Sequence, residues 1–574
     1  MRQFIRGGQT SLHAIRMIKQ ILTVMMQWGT WFGVIFIAYY AYSNIDEYSF
    51  YIFCMYLMAQ VLLFCGAGLD KLINVSNPDG ILLQVKLNDF IYYPSVLNSK
   101  AKIILTLITG VSWALLLALF VIIIVVIIFA IRGKKLGETK FIRGSKIDSE
   151  ENIISQIQKD NKKLNRSSYK ICNINYPADT ESLHTIITGG SGTGKSVTIC
   201  DLIDQIKKKN ERAIIYDKMG VFTQYFYDEN KDILLNPLDS RMPNWDIFKE
   251  GRKTTDFDMM AAALIPSVGS SSDPFWVNTS RILFAESCAA LSERGDASNE
   301  ILLKKLLTDD IKDVAELVKG TPAQSIIDLR SPKTALSVLS VLSTYLRSLK
   351  YSKKQGDNFS IRDWVNNDDA KNMLFITSRG DQHATLKPLI STWIEIAINS
   401  LLSLEQSRDR KIWIILDELP SLHSLPSLQA GLAESRQFGG AFVLSLQLMA
   451  QLRDIYGRDG AESVSGLCRT RVVFGSPDED TAKWCSNSLG NTEIEEFKEG
   501  LSFGAHEMRD GVNLNVSKTM RHLVLPSEIM NLANLNAYVK LANNYPVAKI
   551  KLEYVVRDKI ASRFIEDSTN KGYF

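Results

Sequence analysis

Residues 189–196, Gly-Gly-Ser-Gly-Thr-Gly-Lys-Ser, fit the spacing G-x-x-x-x-G-K-[ST], which lets a backbone wrap a phosphate chain. Gly189, Gly190, Gly192 and Gly194, with Ser191 and Thr193 between them, can bring backbone N–H groups against phosphate oxygens. Lys195 sets a positive charge beside the β- and γ-phosphates, and the Ser196 hydroxyl is a ligand for Mg²⁺. The chemistry implied is binding and hydrolysis of a nucleoside triphosphate such as ATP, with Mg²⁺. The same pattern in an irregular loop would mean nothing. Here an apolar run, 183–188, precedes it, and Val197, Leu202, Ile203 and Ile206 give the following stretch a helical apolar face.

A second set of residues supplies what the phosphate loop lacks. Ile412-Trp-Ile-Ile-Leu416 runs into Asp417 and Glu418, paired acids at the end of a buried strand. Asp417 suits the metal's water shell and Glu418 suits polarising the attacking water. Acids also end strands as turn formers, and Asp217, after the run 213–216, competes for the metal role without an adjacent Glu. Gln447 follows the strand-like run 441–446, where an amide can sense the γ-phosphate; a polar strand end reads equally well. Arg436 is a candidate arginine finger acting in trans on charge spread over the transferring phosphoryl group. Taken alone, it reads as an ordinary surface arginine.

These residues need a frame. Short, β-branched runs at 183–188, 213–216, 373–377, 412–416 and 441–446 alternate with amphipathic helical stretches, the pattern of buried parallel strands in an α/β domain. Between 250 and 349 such runs are nearly absent and helical spacing takes over, which predicts an all-α insertion.

Ahead of this part, residues 21–42 and 103–131 carry no charge, and each exceeds the roughly 20 residues a helix needs to cross hydrocarbon. Arg2, Arg6, Arg16 and Lys19 precede the first, and Arg132, Lys134, Lys135, Lys140, Arg143 and Lys146 follow the second. Both flanks therefore read as cytoplasmic. An even number of spans follows, so the apolar stretch 51–68 is expected to pack as an interfacial or extracytoplasmic helix rather than to span. Residues 132–175 are polar and read as a linker.

The chain has 574 residues, 46% hydrophobic and 22% charged, too long for one core and too apolar for disorder. Its net charge of +4 confines any nucleic-acid surface to a local patch. Seven scattered cysteines without a C-x-x-C pair exclude a disulfide scaffold and a zinc module. His506-Glu507 opens like a zincin helix, but Asp510 stands where the second histidine belongs.

Two apolar spans, the loop 189–196, a helical insertion, Leu416-Asp-Glu-Leu-Pro420 and Ser445-Leu-Gln447 together resemble the type IV secretion coupling proteins. So do Asn236-Pro-Leu-Asp239, Asp273-Pro-Phe-Trp276, Ile361-Arg-Asp-Trp364, His383-Ala-Thr-Leu-Lys-Pro388, Asp454-Ile-Tyr-Gly457 and Arg509-Asp-Gly-Val512. The resemblance implies an α/β, RecA-like P-loop NTPase domain at 176–249 and 350–574 with an all-α insertion at 250–349. A cytoplasmic linker at 132–175 would follow a two-helix transmembrane anchor within 1–131. It further implies a homo-hexamer in the bacterial inner membrane, multi-pass, with membrane lipid around the anchor. Its partners would be single-stranded DNA, the relaxase of a relaxosome and the proteins of a type IV secretion channel. Lys195, Asp417, Gln447 and Arg436 fall on the family's functional positions. Members that dock a relaxosome protein do so with a long polar tail. This sequence reaches Phe574 soon after its last strand-like run, 548–556, so the helical insertion is expected to read the substrate. Export of protein effectors, or a chromosome motor of the FtsK type, would use much the same machinery.

Overall fold

The computed structural model describes residues 2–137, 139–164, 169–267, 274–295, 297–352, 357–407, 409–502 and 511–567. Asp273, His506-Glu507 and Arg509-Asp510 lie outside them. The chain divides into two compact units, 1–140 with 495–517 and 141–494 with 518–574.

In the first unit, Ile18–Asn44, Glu47–Phe64 and Pro94–Arg132 are helical, long enough and apolar enough to cross a membrane. The two long helices, Arg2–Asn44 and Pro94–Gly137, meet through small residues. A Cβ on Gly29 would sit 3.7 Å from that of Ala118, and one on Gly33 would sit 3.9 Å from that of Ala114. Small side chains four apart on both helices let the backbones approach closely, which is how helices associate where solvent is as apolar as the side chains. Large apolar groups point away: Trp31 is 68% exposed and Leu115 67%. The helix Glu47–Phe64 is capped by Asp46, which accepts from the Ser49 N–H at 2.9 Å and pairs with Lys102. It buries Ile52 and Ala59 in a small core with Val75, Leu87, Phe90 and Val96. That core includes the antiparallel hairpin Leu72–Ser76 with Leu82–Lys86.

The second unit is built on ten strands: β1 Ile147–Asp148, β2 Thr185–Thr188, β3 Arg212–Asp217, β4 Ile233–Leu235, β5 Met373–Thr377, β6 Ile412–Leu416, β7 Gly440–Leu446, β8 Thr470–Phe474, β9 Asn536–Lys540 and β10 Val547–Lys551. Their spatial order is β1-β10-β9-β8-β2-β7-β6-β3-β5-β4. The seven strands from β8 to β4 run parallel; β9 pairs antiparallel with both β8 and β10. Period-2 alternation sends Ile186 into one core and Ile187 into the other. Both faces are covered by helices, which is why these strands read as unbroken apolar runs. The helix Lys195–Lys208 covers one face through Ile199, Leu202, Ile203 and Ile206, all buried. His383–Leu402 covers the other.

Between β4 and β5 the chain leaves the sheet for the helices Thr254–Leu264, Pro274–Arg294, Asn299–Leu303, Ile311–Leu317 and Pro332–Leu346. Exit and return are joined by a two-residue parallel pair, Asn244–Trp245 with Asn358–Phe359. The buried carboxylate of Glu250 pins this neck. It accepts from Trp245 Nε1 at 2.8 Å, the Ile361 and Arg362 N–H groups at 2.7 and 3.0 Å, and Ser360 Oγ at 3.1 Å. Burial raises its pKa, and these donors hold the charged form in place.

Two stretches differ from their sequence reading. The polar segment 132–175 is not an irregular linker throughout: β1 extends the sheet edge, and Glu150–Leu164 is a helix that buries Ile153 and Ile157. Each buried isoleucine contributes about 1.5–3 kcal/mol; average polarity hid this one-sided pattern. The run 548–556 is not one strand either. Past β10 the chain leaves the ladder and carries no regular element up to Ile560, and the Ile560 and Ala561 N–H groups donate to the Gln224 carbonyl at 2.9 and 3.2 Å.

Candidate nucleotide site

The loop after β2 is shaped by three glycines in conformations that L side chains rarely adopt: φ is 156° at Gly189, 74° at Gly192 and 127° at Gly194. Two are also enforced by space. A Cβ on Gly189 would lie 2.5 Å from Phe474 Cβ, and one on Gly194 would lie 2.8 Å from Phe474 Cε1. The loop is tied to neighbouring strands, with Gly189 N–H on the Leu446 carbonyl at 3.3 Å and Gly190 N–H on that of Gly475 at 2.8 Å. Lys195 opens the following helix and folds its ammonium back over the loop, donating to Gly189 O at 2.6 Å and Gly190 O at 2.8 Å. Burial lowers its pKa, opposed by the charges of Glu418 and Asp417.

A cleft of about 560 Å³ lies at the carboxyl ends of the strands, where open α/β sheets bind ligands. Ser191, Gly192, Gly194, Lys195, Ser196, Asp417, Glu418 and Gln447 all line it. Asp417 ends β6, and burial, then the neighbouring Asp217 and Glu418, push its pKa up to about 7 against the pull of Lys195 and Lys218. Glu418 is held in a left-handed conformation, φ 67° and ψ 61°, a strain that needs outside support. Its carbonyl accepts from Ser421 N–H at 2.9 Å and Ser421 Oγ at 2.8 Å. Tyr216 Oη lies 2.6 Å from Ser421 Oγ, and His383 Nε2 donates to the Ser421 carbonyl at 2.9 Å. A cradle of glycines, backbone donors, an ammonium, a hydroxyl and an acid is the donor set for a Mg²⁺-bound triphosphate.

Asp217, the other strand-end acid, does not line the cleft. Fully buried, its carboxylate accepts from Val221 N–H, Thr223 N–H and Thr223 Oγ1, all at 2.8–2.9 Å. Arg436 is not brought into the cleft. It is exposed in the 3₁₀ turn Ser435–Phe438, ahead of β7, whereas Gln447 follows β7. Seven strand residues separate the two, roughly 20 Å at the usual rise. Arg436 lines a different cleft, with Asp179, Ser182, Arg410 and Lys411. Five cleft residues escaped the sequence reading: Lys218, Met219, Asn534, Leu535 and Tyr554. Lys218 alone had a signal, standing directly after a strand-end acid.

The family described as the type IV secretion-system coupling protein DNA-binding domain matches residues 168–553. The coupling protein TraD of Escherichia coli K12 is 32% identical over 582 residues, covering 99% of this chain and 80% of that protein. Among solved structures, the unbound bacterial conjugative coupling protein TrwBdeltaN70 superposes with a TM-score of 0.66 at 30% identity, over 75% of this chain and 97% of that one. TrwB in complex with ADP and Mg²⁺, and with the ATP analogue ADPNP, gives a TM-score of 0.65 at 30% identity in each case, over 75% of this chain and 98% of that one. With a RecA-like sheet, an all-α insertion, a phosphate cradle and these likenesses along nearly its whole length, the chain belongs to the type IV secretion-system coupling proteins and is a P-loop ATPase that uses ATP and Mg²⁺.

Proposed function

We propose that this chain is a hexameric motor in the bacterial inner membrane that brings relaxase-bound single-stranded DNA to a type IV secretion channel and spends ATP to help move the strand. In this reading the loop 189–194 wraps the phosphates and Lys195 neutralises them. Ser196 and Asp417 hold Mg²⁺, Glu418 polarises the attacking water, and Gln447 senses the γ-phosphate. Arg436 serves the site of the next subunit.

The observation that carries the reading is the separation of Arg436 from the cleft that brings Lys195, Ser196, Asp417, Glu418 and Gln447 together. An arginine at the opposite end of the sheet reaches a γ-phosphate only across a subunit border, as a ring provides. Two membrane spans, Ile18–Asn44 and Pro94–Arg132, keep Met1 and the ATPase in the cytoplasm. Glu47–Phe64 is then part of the extracytoplasmic module, supported by the burial of Ile52 and Ala59 against Val75, Leu87 and Phe90 and by the basic flanks. DNA is held through its phosphates, without strong base preference and with steep salt dependence.

Mixing Arg436→Ala with Lys195→Ala subunits tests the ring. Each is inactive alone, and mixed rings regain part of the ATPase rate because some borders pair an intact loop with an intact finger. No recovery in rings shown to contain both subunits would remove Arg436 from the neighbour's site.

A further inference from the structure

Sheet order divides the nucleotide cleft. Asp417 and Gln447 follow β6 and β7, on one side of the phosphate-loop strand β2. Asn534 and Leu535 precede β9, which lies on the other side beyond β8. The second flank carries no charged side chain among the residues that line the cleft there: Asn534, Leu535 and Tyr554. It is fastened directly to the loop, because Leu535 N–H donates to the Thr193 carbonyl at 2.8 Å, and Leu535 Cδ2 lies 3.4 Å from where a Cβ on Gly194 would stand.

Tyr554 comes to this flank on a short bridge of chain held at both ends. At one end Leu552 N–H donates to the Leu535 carbonyl at 2.7 Å. At the other, the Arg557 guanidinium donates to Asp201 at 2.5 Å and to Asp204 at 3.0 Å, both on the phosphate-loop helix. Four residues span the gap, and one of them lines the cleft with an aromatic ring that is 65% exposed. A ring this open contributes little to the fold, yet its carrier is anchored to the loop and to the helix that hold phosphate.

A triphosphate whose γ-phosphate faces Lys195, Asp417 and Gln447 must send its nucleoside away from them, towards Leu535 and Tyr554. We infer that Tyr554 is the base-binding residue of this ATPase, stacking its ring on the purine while Leu535 supports the nucleoside from the loop side. Every base has a π-face, so the contact selects for an aromatic base rather than for adenine. The inference rests on the γ-phosphate position proposed above, beside Lys195, Asp417 and Gln447, and not on the roles proposed for Glu418 or Arg436.

The test is steady-state ATPase kinetics of the full chain in lipid nanodiscs, with ATP, with GTP and with Mg²⁺-tripolyphosphate as a baseless competitor. Tyr554→Ala raises KM for ATP and for GTP alike by roughly tenfold, within the range that a base–aromatic stack is worth. It leaves kcat and inhibition by tripolyphosphate unchanged. Tyr554→Phe and Tyr554→Trp restore KM, and Tyr554→Leu, which keeps apolar bulk without the ring, does not. An unchanged KM in Tyr554→Ala would overturn the inference. So would a parallel loss of tripolyphosphate inhibition, which marks damage to the phosphate cradle, or failure of Tyr554→Phe to restore KM, which would assign the effect to the hydroxyl.

Discussion

Both donors of Thr223, its backbone N–H and its hydroxyl, end on the same carboxylate oxygen of Asp217, at 2.8 and 2.9 Å. With Val221 N–H on the other oxygen, the acid is consumed in closing the turn after β3. Asp417, one strand away, keeps its carboxylate in the cleft. Asp217→Ala is therefore expected to cost about 1–3 kcal/mol of stability through orphaned donors, and Asp417→Ala to leave the fold at least as stable as wild type at neutral pH, because a buried charge is removed, while abolishing Mg²⁺-dependent nucleotide binding. Thermal unfolding and Mg²⁺ titration of the two variants separate the roles. A stable Asp217→Ala that loses Mg²⁺ would reverse them.

The left-handed backbone of Glu418 is held by Ser421, and Ser421 by Tyr216 and His383. Ser421→Ala removes the hydroxyl that locks the Glu418 carbonyl. Because a strained residue of this kind stores about 1–3 kcal/mol, kcat is expected to fall roughly tenfold with KM for ATP unchanged. A rise in KM alone would place the effect on binding.

Burial, then the neighbouring Asp217 and Glu418, push the Asp417 carboxyl up to about 7 from an ordinary value of 3.8, so the folded state holds a proton that the unfolded state releases. The stability carried by that proton is fully present below the unfolded value and is lost as pH rises through about 7. Without Mg²⁺, Tm should fall across this window, and Asp417→Asn should flatten the slope. Mg²⁺ binds the carboxylate form, so its affinity should rise as pH passes 7. Thermal unfolding without Mg²⁺ and isothermal titration with Mg²⁺, each at several pH values, check the two signs.

Replacing Gly29 and Gly33 by Leu forces side chains into the contact with Ala118 and Ala114 and is expected to separate the two long helices. Crosslinking of cysteines placed along them reads this directly. Reporter fusions at Asn44 and Asn77 should lie on one side of the membrane and a fusion at Asn161 on the other; Asn44 and Asn77 on opposite sides would make Glu47–Phe64 a third span.

The phosphate loop was legible because its glycines are set by a fixed local spacing and by their φ; the crowding of Gly189 and Gly194 by Phe474 of β8 is a tertiary contact that the sequence did not show. Strands β5 and β6 were legible to the residue because both of their faces are buried. The second flank of the cleft was not. Leu535 and Tyr554 reach it through β9 and β10, whose antiparallel order depends on which strands meet and leaves no mark in local periodicity. The helix Glu150–Leu164 was lost among its own charges. Arg436 was singled out by type and position alone; its distance from the cleft follows from its place ahead of β7, with Gln447 after that strand.

The central claim is that this one cleft hydrolyses ATP with water activated at Glu418. The direct measurement is ATP turnover by the purified full chain carrying Glu418→Gln, at saturating Mg²⁺-ATP and with single-stranded DNA present. Affinity for ATP is expected to stay at the wild-type value while the rate falls by roughly 10²–10⁴-fold, the usual worth of a general base. Hydrolysis at the wild-type rate would remove Glu418 from water activation.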